Sequence, residues 1–384
     1  MNRLTTPWGA FELARFPEDP RDTLRAWDAA DEYLLRHLHG IDDSAPTDLS
    51  GTVAVVGDRW GALATSLAEH RPVQITDSFL CQEATRGNLA RNGLAADSVR
   101  LLTARDTPPE RVDVLLVRVP KSLALLEDQL HRLAPSVHAD TVVVGTGMVT
   151  EIHTSTLKLF ERILGPTRTS LAVKKARLIF CTPDPKIAPV PSPWPLRYAL
   201  PSDIGTLAGR TVTNHAGIFC AERLDIGTRF FLRHLPQHQG PERVVDLGCG
   251  NGVVGTAAAL ANPDANLTFV DESYSAVASA RATFYDNMPG GEAEFLVGDG
   301  LSALPGGSVD RVLNNPPFHS HRATTDTAAR RMFADARRVL REGGELWVVG
   351  NRHLGYHVRL RRMFGNCEVV AGDPKFVVLR AVRT

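Results

Sequence analysis

The chain has 384 residues, 43% of them hydrophobic and 22% charged, which is enough for two or three domains with cores of their own. Its 43 Lys/Arg balance 43 Asp/Glu, so no global field draws in a nucleic acid and any such partner must be held by local patches. No run approaches the roughly 18 apolar residues of a membrane span, Met1 to Phe11 lacks a signal-peptide core, and five scattered cysteines without a CxxC pair exclude a disulfide framework or zinc site, so a cytoplasmic protein is expected.

Leu24 to Leu38 repeats its apolar residues at helical spacing and predicts an amphipathic helix capping a first domain. Val53 to Val56 reads as a buried strand running into a turn at Gly57, followed by a helix from Ala62 to Glu69. A strand Val73 to Thr76 ends at Asp77, and further strands fall at Val112 to Val117 and Thr141 to Val144, with helical pattern between them. Alternating strands and helices imply a parallel sheet with helices on both faces. Residues 181–201 hold seven prolines and cannot build a helix or a central strand, so a linker is placed there, between domains 1–180 and 202–384.

The same order then begins again. Arg243 to Leu247 is a strand into Gly248, followed by a helix from Val253 to Leu260, a strand Leu267 to Val270 ending at Asp271, and a helix Ser275 to Asn287. Strands follow around Phe295 to Val297 and Val309 to Asn314, then a helix Ala328 to Leu340, and strands at Glu345 to Val349, Glu368 to Val370 and Phe376 to Leu379. Sliding the halves by 197 residues lays Val112-Asp113 on Val309-Asp310 and Arg118 on Asn315, while Gly57 and Gly61 keep the spacing of Gly248 and Gly252. An arginine has no acceptor to offer an amine, so the first half reads as a copy that has lost its chemistry.

Asn315-Pro316-Pro317-Phe318 carries the second half's chemistry. Two prolines cannot continue a strand ladder, so the tetrapeptide sits at a carboxyl strand end, where open α/β sheets bind ligands. The Asn315 amide oxygen and the Pro316 carbonyl can accept both hydrogens of a planar amine, and Phe318 can stack on it. Gly250-x-Gly252-x-x-Gly255 matches a dinucleotide motif, which admits a dehydrogenase. Asp246 with Gly248, Gly250 and Gly252, however, also suits an S-adenosyl-L-methionine loop, with Asp271 accepting from ribose hydroxyls and Asp299 from an adenine amine. A nicotinamide enzyme has no use for an amine-gripping tetrapeptide, so a methyltransferase is expected. His319-x-His321 and His353-x3-His357 lack carboxylate or thiolate company, and no metal set is read. Two stretches, Lys158 to Arg197 and Arg322 to Arg362, each carry six excess positive charges and could grip phosphates.

With Asn214 to Phe219, Leu224 to Gly227, Asp246 to Gly252, Asn315 to His319 and Gly343 to Leu346, the whole chain resembles the ribosomal RNA guanine 2-amino methyltransferases of the RlmG and RsmC type. Val117 to Lys121 and Ala26 to Leu35 resemble the large-subunit branch more. The resemblance implies two tandem Rossmann-like class I methyltransferase domains, each with a seven-stranded, mostly parallel sheet, the N-terminal copy degenerate. It implies that Gly217, Phe219 and Asp225 help close the cofactor pocket; by its chemistry Phe219 could equally be a core aromatic. The implied partner is ribosomal RNA or a ribosomal subunit or assembly intermediate, with no membrane; the oligomeric state stays open, a monomer being favoured. Adenine 6-amino groups, a protein glutamine amide, or a non-enzymatic RNA-binding or assembly role remain open on the residues alone.

Overall fold

The computed structural model describes residues 2–19, 22–41, 45–317 and 322–384. The chain divides into two compact units, Met1–Trp194 and Pro195–Thr384, and the division falls inside the proline-rich segment. Among the described residues no helix is long and apolar enough to cross a membrane.

The first unit opens with a hairpin, β1 (Arg3–Thr6) and β2 (Gly9–Glu12), and a helix, α1 (Ala29–Leu38). Then come β3 (Val53–Val56), α2 (Ala62–Ser66), β4 (Val73–Thr76), α3 (Phe79–Arg91) and β5 (Arg100–Thr103). The chain crosses to β6 (Val112–Arg118), α4 (Leu123–Leu133), β7 (Val137–Met148) and α5 (Thr154–Ile163), and closes with β8 (Thr167–Thr169) and β9 (Ala176–Cys181). The sheet order is β5-β4-β3-β6-β7-β9-β8, parallel as far as β7 and antiparallel beyond it.

The second unit repeats this plan. Its hairpin is β10 (Leu196–Ala199) and β11 (Thr211–Asn214), and its first helix is α6 (Ile226–Leu232). There follow β12 (Arg243–Leu247), α7 (Val253–Ala261), β13 (Asn266–Asp271), α8 (Tyr274–Asn287) and β14 (Ala293–Val297). The chain continues through β15 (Val309–Asn314), α9 (Arg322–Val339), β16 (Leu340–Asn351), α10 (Tyr356–Phe364), β17 (Glu368–Gly372) and β18 (Phe376–Val382). The order β14-β13-β12-β15-β16-β18-β17 is the first sheet's order strand for strand. Successive residues feed opposite faces: Val245, Val312, Leu346 and Val348 enter one core cluster, and Val244, Leu313, Trp347 and Val349 the other. That period of two, apolar on both faces, is what a sheet covered by helices on each side requires.

The likeness extends to single contacts. Gly61 and Gly252 both take φ near 75° and N-cap α2 and α7. A Cβ at Gly61 would stand 2.8 Å from Thr85 Cα and one at Gly252 2.6 Å from Ala280 Cα, so each glycine lets a loop press on the next helix. Ser78 and Ser273 cap α3 and α8 by accepting from the N–H three residues on. The repeat also takes in the hairpin and helix before each sheet, which sequence comparison began only at Val53 and Arg243.

Several expected boundaries are corrected: α9 begins at Arg322 rather than Ala328, and Leu340 already opens β16, which was expected from Glu345. The first helix starts at Ala29 rather than Leu24, because the Asp28 side chain accepts from Ala30 N–H while Asp31 accepts from Asp28 N–H, a reciprocal cap that fixes the start. The helix expected over Ala62 to Glu69 ends at Ser66 and tightens into a 3₁₀ turn, Ala68–His70, which leads to Arg71 in the left-handed region.

Candidate active site

In the second sheet β12 lies between β13 and β15, so the chain leaves it first to one side and later returns on the other. The crevice at the carboxyl ends of β12 and β15 is where that reversal opens the sheet's edge to a ligand. Gly248 and Cys249 both donate their N–H to Val270 O, at 2.8 and 3.0 Å, folding the glycine loop over the end of β13. Gly250, at φ 52°, has nothing within 4 Å of where a Cβ would stand, which leaves backbone open to a close-approaching ligand.

Two carboxylates hold this loop. Asp246, 2% exposed, accepts from Gly255 N–H at 2.8 Å, satisfying one of the unpaired donors in the first turn of α7. Burial pushes its carboxyl up to about 7, the Gly255 hydrogen bond opposes this, and the charge of Asp271 adds to it. Asp271 accepts from Gly250 N–H through Oδ2 and from Ser273 N–H through Oδ1, both at 3.0 Å. Burial raises its carboxyl too, against those backbone hydrogen bonds. Each oxygen keeps acceptor capacity for a hydroxyl.

Asn214, at the end of β11, accepts from the Asn251 side chain at 2.9 Å and so ties the hairpin to the loop. Its own Nδ2 is buried and without a partner among the described residues. Asp299 is engaged by Arg331 of α9, whose Nη2 lies 2.6 and 2.7 Å from its two oxygens. Gly300 next to it takes φ 52°.

At the end of β15, Asn314 is fully buried and donates to Leu247 O at 2.7 Å, pinning β15 to β12. Asn315 donates through Nδ2 to Thr228 Oγ1 at 2.9 Å. Thr228 in turn sits on Asp225, the N-cap of α6, which accepts from Thr228 N–H at 2.8 Å and lies 3.3 Å from its hydroxyl. Asn315 Oδ1 is buried with no partner among the described residues, an acceptor that needs a donor from outside. Pro316 is buried and Pro317 exposed; Phe318, His319 and His321 lie outside the described residues.

The structure therefore joins Asp246, Gly250, Asp271 and Asn214 through one loop, and Asn315 with Asp225 through Thr228. Gly217, at φ 86°, belongs to neither set of bonds. Phe219 is 52% exposed, which removes the core-aromatic alternative. His353 and His357 are both exposed. Sequence reading missed Thr228 and Asn251; a threonine three residues after a capping Asp carries no signal of a partner 87 positions away.

Residues 1–185 match the family model described as the RLMG N-terminal domain, and residues 209–380 the one described as the methyltransferase small domain. A ribosomal RNA large subunit methyltransferase G of Streptomyces griseus is 73% identical over 384 residues, covering all of both chains. One of Stutzerimonas stutzeri is 49% identical over 383 residues, 99% of each. Among solved structures, the T. thermophilus 16S rRNA N2 methyltransferase RsmC, in complex with AdoMet and guanosine, is similar in fold. It has a TM-score of 0.76 at 20% identity and covers 100% of this chain and 97% of that one. The two-unit α/β architecture, the paired domain matches and the end-to-end identity lead to one statement: this chain belongs to the ribosomal RNA large subunit methyltransferase G family.

Proposed function

We propose that the second unit transfers a methyl group from S-adenosyl-L-methionine to the exocyclic 2-amino group of a guanine in large-subunit ribosomal RNA. One observation carries the choice of an amine: Asn315 commits its nitrogen to Thr228 and leaves its oxygen to accept. The relatives' activity on ribosomal RNA and the guanosine bound by the similar structure favour guanine.

S-adenosyl-L-methionine supplies an electrophilic methyl on a sulfonium. Gly248, Gly250 and Gly252 let backbone approach it, and the N-terminus of α7 favours its carboxylate. Asp271 accepts from its ribose hydroxyls, and Asp246 serves the site by holding the loop on α7. Asp299 accepts from its adenine amine, sharing its charge with Arg331. Gly217, Phe219 and Asp225 line the closing side. Asn315 Oδ1 and the Pro316 carbonyl hold the target amine's hydrogens, which aligns a poor nucleophile and favours the tetrahedral nitrogen that develops as the bond forms. Phe318 stacks on a base swung out of its helix.

The first unit and the linker dock RNA and do no chemistry, and the chain acts as a monomer on cytoplasmic ribosomal RNA or an assembling subunit. Arg330, Arg337, Arg361 and Arg362 on α9 and α10 form no ion pair among the described residues and are available to phosphates. Mass analysis of ribosomal RNA nucleosides from cells lacking the protein tests the reading. Loss of one 2-methylguanosine from the large-subunit RNA is expected; loss of an N6-methyladenosine, or an unchanged nucleoside profile, overturns it.

A further inference from the structure

An asparagine amide has two chemically opposite faces, and which one meets the substrate is decided by what holds the other. At Asn315 the holder is Thr228, and the direction of the bonds follows from Asp225. The Asp225 carboxylate is acceptor-only, so the contact between its Oδ2 and Thr228 Oγ1 requires the hydroxyl hydrogen. That hydroxyl then has only lone pairs left for Asn315, and Asn315 must donate to it through Nδ2. Turning the amide over would set Oδ1 against the hydroxyl's lone pairs and bring an N–H toward the substrate's own N–H groups. Both contacts of the flipped amide would set like groups facing one another.

We infer that Thr228 is a positioning residue which, backed by Asp225, fixes the Asn315 amide oxygen-outward and so makes the site selective for a target that donates hydrogens, an exocyclic amine, over one that accepts them. The inference rests on the proposed role of Asn315 and assigns its cause. The first unit uses the same three places. Asp28 caps α1 as Asp225 caps α6, Asp31 stands where Thr228 does, and Arg118 stands where Asn315 does, each 197 residues earlier. There too the side chains meet: Arg118 lies 2.6 Å from Asp28 and 3.4 Å from Asp31. A helix N-terminus turned onto this strand end is thus part of the repeated fold, and the residue at its third position sets what the strand end presents.

Thr228→Val keeps the side chain's shape and the backbone N–H to Asp225 and removes only the hydroxyl. With the full chain, S-adenosyl-L-methionine and ribosomal RNA from cells lacking the protein, kcat is expected to fall about 10- to 100-fold. Cofactor affinity by calorimetry and the thermal midpoint should stay near those of the unsubstituted chain, and Thr228→Ser should restore kcat to within about threefold. Unchanged kcat in Thr228→Val alongside an inactive Asn315→Ala overturns the inference while leaving the site standing. Equal impairment in the Val and Ser variants also overturns it, because packing rather than the hydroxyl would then matter. An active Asn315→Ala sinks the site itself.

Discussion

Each unit turns a helix N-terminus toward the carboxyl end of the fourth strand in its sheet, and the two corners do opposite things with it. In the first, the Arg118 side chain is fully buried and spans Asp28 at 2.6 Å, Asp31 at 3.4 Å and Glu151 at 2.9 Å. Arg59 joins them, 3.3 Å from Asp28 and 2.5 Å from Glu151. Arg59 stands where the second unit has Gly250, and Thr76 where it has Asp271; Thr76 still accepts from Ser78 N–H as Asp271 does from Ser273 N–H. A Cβ at Gly57 would lie 2.6 Å from Arg118 O, so the loop is closed on the strand end. At the equivalent Gly248 the nearest atom is the terminal Cε of the Met332 side chain, at 3.0 Å. One backbone plan yields either an ionic plug or an open acceptor, and a handful of side chains makes the difference.

Removing the plug is the harshest way to break the comparison. Burial works against a charge on Arg118, but the three carboxylates outweigh it and hold the guanidinium more firmly protonated than usual. Arg118→Ala leaves Asp31 buried without a guanidinium and Asp28 and Glu151 with Arg59 alone, which should cost about 3–5 kcal/mol of the first unit's stability. Denaturant unfolding of the full chain measures it, and a loss below about 1 kcal/mol would contradict an ionic plug. The same change should confer no methyl transfer on the first unit, since neither an acceptor nor a ribose carboxylate returns with it.

The mirror-image substitution acts on chemistry. Asn315→Ala should lower kcat about 10²- to 10³-fold while calorimetry finds S-adenosyl-L-methionine binding within a few-fold of the unsubstituted chain. Persistent turnover would show that the strand end does not grip the amine.

Much of this architecture is legible in the sequence, and what is not has a common cause. The prolines after Asn315 announce a strand end because they lack the N–H a ladder needs, and the four-residue glycine spacing announces two equivalent loops. Leu24 and Trp27 continue the helical period, and only the Asp28 cap sets the true start of α1. The short strands β5, β8 and β9 and the two hairpins carry little periodic signal of their own; the repeat implies β8 and β9 as counterparts of β17 and β18. Thr228 and the Arg118 cluster were invisible because their partners lie 87 and 90 positions away in sequence, where neither period nor propensity reaches.

The two units should also answer acid differently. Burial works against the charge of Glu151, yet Arg118 and Arg59 outweigh it and hold its carboxyl at about 2, below the ordinary 4.5. Its contribution is therefore full above pH 4.5 and is lost as pH falls toward 2. Asp246, raised to about 7 by burial, contributes fully below its ordinary 3.8 and loses that contribution as pH rises through 7. These shifts correspond to about 3 kcal/mol for Glu151 and about 4 kcal/mol for Asp246 across their windows. Stability measured against Glu151→Gln should converge with that of the unsubstituted chain as pH drops from 4.5 to 2. Against Asp246→Asn the unsubstituted chain should gain on acidification from 7 to 4; a parallel pair of curves in either case would dismiss the assigned cause.

The mildest effect concerns where arginines point. The first corner turns Arg59 and Arg118 inward onto carboxylates, whereas in the second unit Arg361 and Arg362 are exposed on α10 and form no ion pair among the described residues. The buried face of α10, Tyr356, Leu360 and Phe364, anchors the helix, and Phe333 of α9 meets Tyr356 edge-on at 5.2 Å, so the two arginines ride on a firmly packed element. Neutralising both as Arg361→Ala/Arg362→Ala removes nothing from the core and should shift stability by less than about 0.5 kcal/mol. Phosphate contacts reveal themselves by released counterions, so the slope of log affinity for ribosomal RNA against log salt should fall by roughly 1 to 2. Affinity at moderate salt should drop several-fold, with kcat at saturating RNA unchanged, because neither guanidinium belongs to the strand-end corner. An unaltered salt slope would move the RNA's path off this helix and leave the first unit as the side that grips it.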